Sequence, residues 1–247
     1  MGNESTISAY LRRGLIAGLV AGLLAGVFAY FIGEPSVEAA IQLEEAAAHG
    51  HGGDADHGEE IFVSRSIQSG IGLFFATGFT GAFVGGLFGL AFAYFRGRLN
   101  SESDWVRSVS LAAAIFGGVV LVPFLKYPAN PPAVGDPETI GARTASYLML
   151  VALSLIVVLG AWYAARTLRA RGIDTPIRQS AVGLGVVVMV GVLFFTLPAS
   201  PSPGEFPAGI LWEFRLSSLG TQLVLWAGLG VVFGLLCERA NRAKLIG

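Results

Sequence analysis

The 247-residue chain has one cysteine, Cys237, which excludes an intrachain disulfide and a thiolate metal cluster. It has two lysines, Lys126 after Leu125 and Lys244 after Ala243, so the Gly-Lys-Ser/Thr of a phosphate-binding P-loop is absent. Its three histidines all fall within one short stretch, which leaves no dispersed His to act as the base of a nucleophile-base pair. Charge is scarce too: 13% of residues are Asp, Glu, Lys or Arg, where a soluble domain carries roughly 25%. No Asp or Glu stands inside the long apolar runs, where a proton-coupled carrier usually places one.

What the chain has is apolar length. Hydrophobic residues make up 53% of it, and mean hydropathy is +0.66. A membrane-spanning helix needs roughly 20 mostly apolar residues. Six stretches meet that need: Arg13–Ile32, Gly70–Phe95, Val109–Leu125, Tyr147–Ala165, Ala181–Leu197 and Leu219–Leu236. The expected fold is all-α, a single membrane domain over residues 1–247 built as a bundle of six transmembrane helices, with a polar outer loop over 33–66. The first stretch begins with Arg12-Arg13 and lacks a clear Ala-x-Ala site, so it is expected to be retained as a span and not cleaved as a signal peptide.

The basic residues set the orientation. Twelve of the 16 lie in the N-terminus, the second and fourth connections and the C-terminus; the other three connections hold Arg65, Lys126, Arg143 and Arg215. Six spans with both termini cytoplasmic fit this division at every crossing. Twelve of the 17 acids then lie outside, and an acidic outer face concentrates cations.

Glycine recurs at four-residue spacing in the first span (Gly14, Gly18, Gly22, Gly26) and the second (Gly81, Gly85, Gly89). Such ladders lie on one helix face and admit another backbone closely, which makes these two spans partners or sites of subunit contact.

The connection between them holds the histidines, in AHGHGGDADHGEE. His49, His51 and His57 have the spacing H-x-H-x5-H, interleaved with Asp54 and Asp56. Imidazole suits Zn, Cu, Fe and Ni class metals, and carboxylates add charge and oxygen ligands. Histidines two apart cannot share a helix face, so the loop has to wrap around an ion, as its glycines allow. The reading is capture of a divalent cation; a polar flexible linker is the plainer alternative. Upstream, Gly33-Glu34-Pro35-Ser36-Val37-Glu38 follows the first span, and Pro35 can open a new helix. Glu34, Glu38 and Glu45 would then share one face, a carboxylate stripe running from the membrane edge toward the histidines, or else a solvated helix face.

Two outer connections are proline-rich and read as a rigid cap. In the first, Asp136 and Pro137 look like a helix N-cap and first helical position; Asp136 and Glu138 are candidate ligands, although capping explains Asp136 without metal. In the second, Trp212 and Phe214 read as interfacial anchors, and Glu213 and Arg215 as charges able to pair with other outer segments. Gln68, Thr77, Thr80, Ser154, Thr196 and Gln222 are the polar residues of the spans, read as interhelical hydrogen-bonders, with Gln222 also able to line a path.

Several of these blocks occur together in one known family. The Arg-Arg start with its glycine ladder, G-E-P-S-V-E-A-A-I, the His/Asp/Glu loop, L-K-Y-P-A-N-P-P-A-V-G-D-P-E-T-I-G-A-R-T and L-W-E-F-R-L-S-S-L-G-T-Q resemble the CbtA family of probable cobalt transporter subunits. The resemblance covers most of the chain; Pro128–Arg143 and Leu211–Gln222 are its most specific parts. It implies cobalt uptake across a bacterial inner membrane, beside a small one-span partner carrying a short histidine motif. Combined with the residues, it gives a permease subunit in which His49, His51, His57, Asp54 and Asp56 collect Co²⁺ and Glu34 and Glu38 pass it toward the bundle. The ion is cargo; no resident cofactor, no catalytic residue and no nucleic-acid partner is expected, and homo-oligomers are allowed. A non-transporting metal-binding or accessory subunit is the alternative, which the lack of buried charge favours.

Overall fold

A computed structural model describes residues 2–50, 68–99, 101, 103–132, 134–200 and 202–246. The regular structure among them is entirely helical. Six helices are long and apolar enough to cross a membrane: α1 (Ile7–Ala46), α2 (Ser69–Arg98), α3 (Asp104–Lys126), α4 (Ile140–Ala170), α5 (Thr175–Thr196) and α6 (Ala208–Ala243). The chain is a multi-pass membrane protein. Large apolar side chains cover the outside of these helices, with Phe75, Phe79 and Phe195 among the most exposed. In water that surface would promote aggregation; in a bilayer it is the lipid contact.

The helices exceed the apolar runs at their ends. The largest extension is in α1, where Pro35 does not open a separate helix. A five-residue π-turn, Ala29–Gly33, joins the apolar part of α1 directly to the helical segment Glu34–Gly50. The Glu34 N–H donates to the Ala29 carbonyl, five residues back. The wider turn accommodates Pro35, which has no N–H to give the turn before it and whose ring crowds an ordinary α-turn. So residues 33–50 of the expected outer loop are helical, apart from Gly33 itself in the π-turn. The same arrangement recurs in α3: the π-turn Gly117–Leu121 ends with the Val122 N–H on the Gly117 carbonyl, just before the buried Pro123.

Contacts divide the described chain into two compact units, and the division falls within α3. Unit 1 comprises residues 1–113, 130–133 and 207–247. Its tightest seam is between α1 and α2. A β-carbon on Gly81 would lie 2.7 Å from the Gly22 Cα, and one on Gly85 would lie 2.6 Å from the Gly18 Cα. Real side chains do not fit there, so the two glycine ladders meet backbone to backbone, as their spacing predicts. A second glycine seam joins the first half of α3 to α6. Gly230 faces Ala112 and Gly234 faces Trp105, while the buried Ser108 hydroxyl donates to the Gly230 carbonyl at 2.7 Å. α6 also packs closely on α1, where a β-carbon on Gly228 would lie 3.5 Å from the Ala21 Cα, and Phe233 of α6 packs edge-on against Phe88 and Phe92 of α2 and beside Tyr10 of α1.

Unit 2 comprises residues 114–129 and 134–206. Ser154 of α4 is fully buried and donates its hydroxyl to the Gly118 carbonyl, inside the α3 π-turn. Lys126 Nζ reaches the Phe194 carbonyl near the end of α5 at 2.7 Å, and the Tyr127 hydroxyl donates to the Pro198 carbonyl at 2.7 Å. Burial lifts the Tyr127 phenol above its ordinary pKa. α4 and α5 form a hairpin that turns at Gly172, whose φ of +74° is the left-handed conformation glycine supplies after a helix.

Candidate functional site

The helical continuation of α1 beyond the π-turn sets where the carboxylates stand. One face of it packs on α6: Ser36 and Ala40, four residues apart, are buried there. Ser36 Oγ donates to the Gly33 carbonyl at 2.8 Å. Gly33 in turn lies against Ser217 of α6, also buried, whose hydroxyl donates to the Phe214 carbonyl at 2.9 Å. Serine hydroxyls returned to their own helix satisfy themselves without a partner and leave room for close packing.

Glu34, Glu38 and Glu45 follow one another along the opposite face. Glu34 is half-buried, and Glu38 and Glu45 are exposed. The helical backbone continues through Gly50, so position 49, four residues after Glu45, stands in the same register. From Glu34 to that position the helix rises roughly 22 Å. The carboxylate stripe inferred from sequence is therefore real as a helix face, and it leads into the histidine stretch. His51, Asp54, Asp56 and His57 lie outside the described residues. Among the described residues no group of three or more His, Cys, Asp or Glu side chains gathers to hold a metal.

Asp136 serves as a cap. Its carboxylate accepts the Glu138 N–H at 2.9 Å, and its carbonyl accepts the Thr139 hydroxyl at 2.7 Å, at the short turn Pro137–Thr139 that leads into α4. Arg143 folds back beneath this turn toward the Val134 and Asp136 carbonyls, beside Gly135 with its φ of +100°. Arg215 reaches the proline-rich segment that follows α3, where Nη2 donates to Asn130 Oδ1 at 2.8 Å. Ser154 is the interhelical hydrogen-bonder expected of it, but Thr77 and Thr196 return their hydroxyls to their own helices, at the Leu73 and Val192 carbonyls. Gln222 is exposed.

The residues missed in the sequence lie at the other end of unit 1. α3 begins at Asp104, five residues before the apolar run, and this carboxylate is 1% exposed. It corrects the expectation that the spans lack a buried acid. Arg96 Nε donates to both its oxygens, at 2.8 and 3.0 Å. Arg107 adds a bond at 2.8 Å, and Asn241 Nδ2 another at 2.9 Å. Glu238 of α6 accepts the Ser103 hydroxyl at 2.8 Å and the Trp105 N–H at 3.2 Å, capping the start of α3 from across the seam. The Arg13 and Arg96 guanidiniums stand 5.6 and 6.0 Å from the Tyr10 ring centroid. The signal available in the sequence was Arg96 and Arg107 flanking an acid just ahead of an apolar run.

No curated protein and no solved structure matches the chain. A family model does, over residues 7–238, and its description is "Probable cobalt transporter subunit (CbtA)". The match takes in all six helices except the far end of the last; the chain belongs to the CbtA family.

Proposed function

We propose that the chain is the membrane-embedded subunit that moves Co²⁺ through the bacterial inner membrane, with both termini cytoplasmic. The observation that carries this reading is the unbroken helical register of Glu34, Glu38 and Glu45 with position 49. His49, His51, His57, Asp54 and Asp56 collect the ion outside. The carboxylates then pass it along one helix face toward Glu34, half-buried where α1 meets the π-turn. Partly buried acids at a span's edge are costly unless a cation uses them. Imidazole and carboxylate together suit a borderline divalent ion. The "subunit" of the family's description supports a partner, which we take to be a small one-span protein carrying its own histidines.

Cobalt uptake by cells expressing the chain, with and without that partner, tests the reading. A triple variant, His49→Ala, His51→Ala, His57→Ala, should lose uptake at low external cobalt and regain it at high. Unchanged uptake at low cobalt would move capture away from the histidines. Cobalt binding to purified protein without uptake in any strain would give the chain an accessory role.

A further inference from the structure

α1 and α3 share a backbone defect and meet it differently. In each, a π-turn runs into a proline that has no N–H to give back to the helix. In α3 the Val122 N–H bonds the Gly117 carbonyl, so the next donor in that register would be residue 123, on the Gly118 carbonyl. Pro123 cannot donate, and the Ser154 hydroxyl takes its place on Gly118. In α1 the Glu34 N–H bonds the Ala29 carbonyl, and the next donor would be residue 35, on the Tyr30 carbonyl. Pro35 cannot donate, and the Glu34 N–H that an ordinary α-turn sends to Tyr30 is already on Ala29. Among the described residues no side chain donates to the Tyr30 carbonyl. The hydroxyls packed at this turn, those of Ser36 and Ser217, go to the Gly33 and Phe214 carbonyls instead. Nor can the turn relax into plain α-helix. Gly33 lies against Ser217 of α6, Ser36 and Ala40 are buried, and the Tyr30 ring packs 6.1 Å from that of Phe74 on α2. Losing the extra residue of a π-turn would rotate everything after it by roughly 100° and turn Ser36 and Ala40 off α6.

We propose that the Tyr30 carbonyl and the Glu34 carboxylate together form a divalent-cation site, where the carboxylate face of α1 meets the membrane edge. The carbonyl of a helical residue points along the axis toward the residue four places on, here Glu34. The Glu34 side chain leans back toward the helix N-terminus, as helical side chains do, and so over the turn that holds Tyr30. The two residues are about 6 Å apart along the axis, a span that one cation and its ligands bridge. A carbonyl without a donor is costly near lipid, and such carbonyls are tolerated where they line an ion path. Carbonyl and carboxylate oxygens hold cobalt less firmly than imidazole does, which suits a site that has to release its ion. The proposal rests on the transport reading above for how the ion arrives, and adds to it a backbone ligand at the end of the stripe.

The test gives the carbonyl its missing donor. Pro35→Ala and Pro35→Ser each restore an N–H at position 35 and leave every carboxylate in place. The full-length protein is purified without a tag and carries His49→Ala, His51→Ala and His57→Ala, which silence the histidine stretch. It is dialysed to equilibrium against radioactive cobalt. This parent should bind Co²⁺, and both Pro35 variants and Glu34→Gln should bind it at least about tenfold more weakly, the lower end of what a lost supporting contact costs a metal site. Melting temperatures of the Pro35 variants should equal or exceed the parent's, because a proline inside a helix costs stability; weaker binding then cannot come from unfolding. Pro123→Ala, where Ser154 already serves the carbonyl, should bind as the parent does. Parent-like binding in folded Pro35→Ala and Pro35→Ser would overturn the site. So would a parent that binds no cobalt, or an equal loss in Pro123→Ala. The same variants with their histidines intact are then assayed for cobalt uptake in proteoliposomes. Binding that follows the expected pattern with no uptake in any vesicle keeps the site and ends the transport reading. Uptake that the Pro35 variants leave untouched keeps the transport reading and ends the site.

Discussion

Gly18 and Gly85 face each other across α1 and α2 so closely that a β-carbon on Gly85 would lie 2.6 Å from the Gly18 α-carbon. No side chain fits that gap, so the seam depends on the absence of one. Gly85→Ala should lower stability by about 1–3 kcal/mol, the usual cost of overpacking, and Gly85→Leu should prevent the folded protein from being recovered in detergent. Gly191 of α5 has nothing within 4 Å of its would-be β-carbon. Gly191→Ala should be neutral or stabilising by up to about 1 kcal/mol, through helix propensity. Thermal unfolding of the two alanine variants side by side checks the contrast.

Ser154 should matter more than Thr196, although both are hydroxyls on spanning helices. The Ser154 hydroxyl crosses from α4 to the Gly118 carbonyl, whereas that of Thr196 returns to Val192 in its own helix. Ser154→Ala should lower stability by about 0.6–2 kcal/mol, the range for interhelical hydrogen bonds in membranes. Thr196→Val should lower it by less. Melting temperatures in one detergent decide between them.

Asp104 is the buried charge on which α2, α3 and α6 converge. Asp104→Asn keeps the shape and leaves Arg96 and Arg107 facing each other without a carboxylate. The expected loss is about 1–3 kcal/mol, the cost of losing charged hydrogen bonds when the guanidiniums left behind still reach solvent. Glu238→Gln should cost less, because the amide oxygen still accepts from the Ser103 hydroxyl and the Trp105 N–H. Chemical denaturation of the two variants ranks them.

The six spans were legible because apolar length is a strong signal, and the α1–α2 seam because glycine at every fourth position has few other uses. The Pro35 region was legible in part. The Glu34, Glu38 and Glu45 face follows from helical periodicity alone. The π-turn that keeps α1 continuous past Pro35 depends on a backbone arrangement that composition does not announce. Asp104 escaped for a different reason. It belongs to no apolar run, and its burial comes from Arg96, Arg107 and Asn241, which are up to 137 residues away in the chain. Contacts of that separation are set by which helices pack together, and a single sequence carries little trace of them.

The most direct test of cobalt movement along the α1 carboxylate face is uptake by proteoliposomes containing the purified chain, compared with Glu34→Gln, in the presence of nickel and zinc as competitors. The expected result is uptake in the wild type that exceeds empty vesicles and falls toward background in Glu34→Gln, with the melting temperature of that variant unchanged. Uptake that persists at the wild-type rate in Glu34→Gln would contradict it, because the carboxylate at the π-turn would then lie off the path.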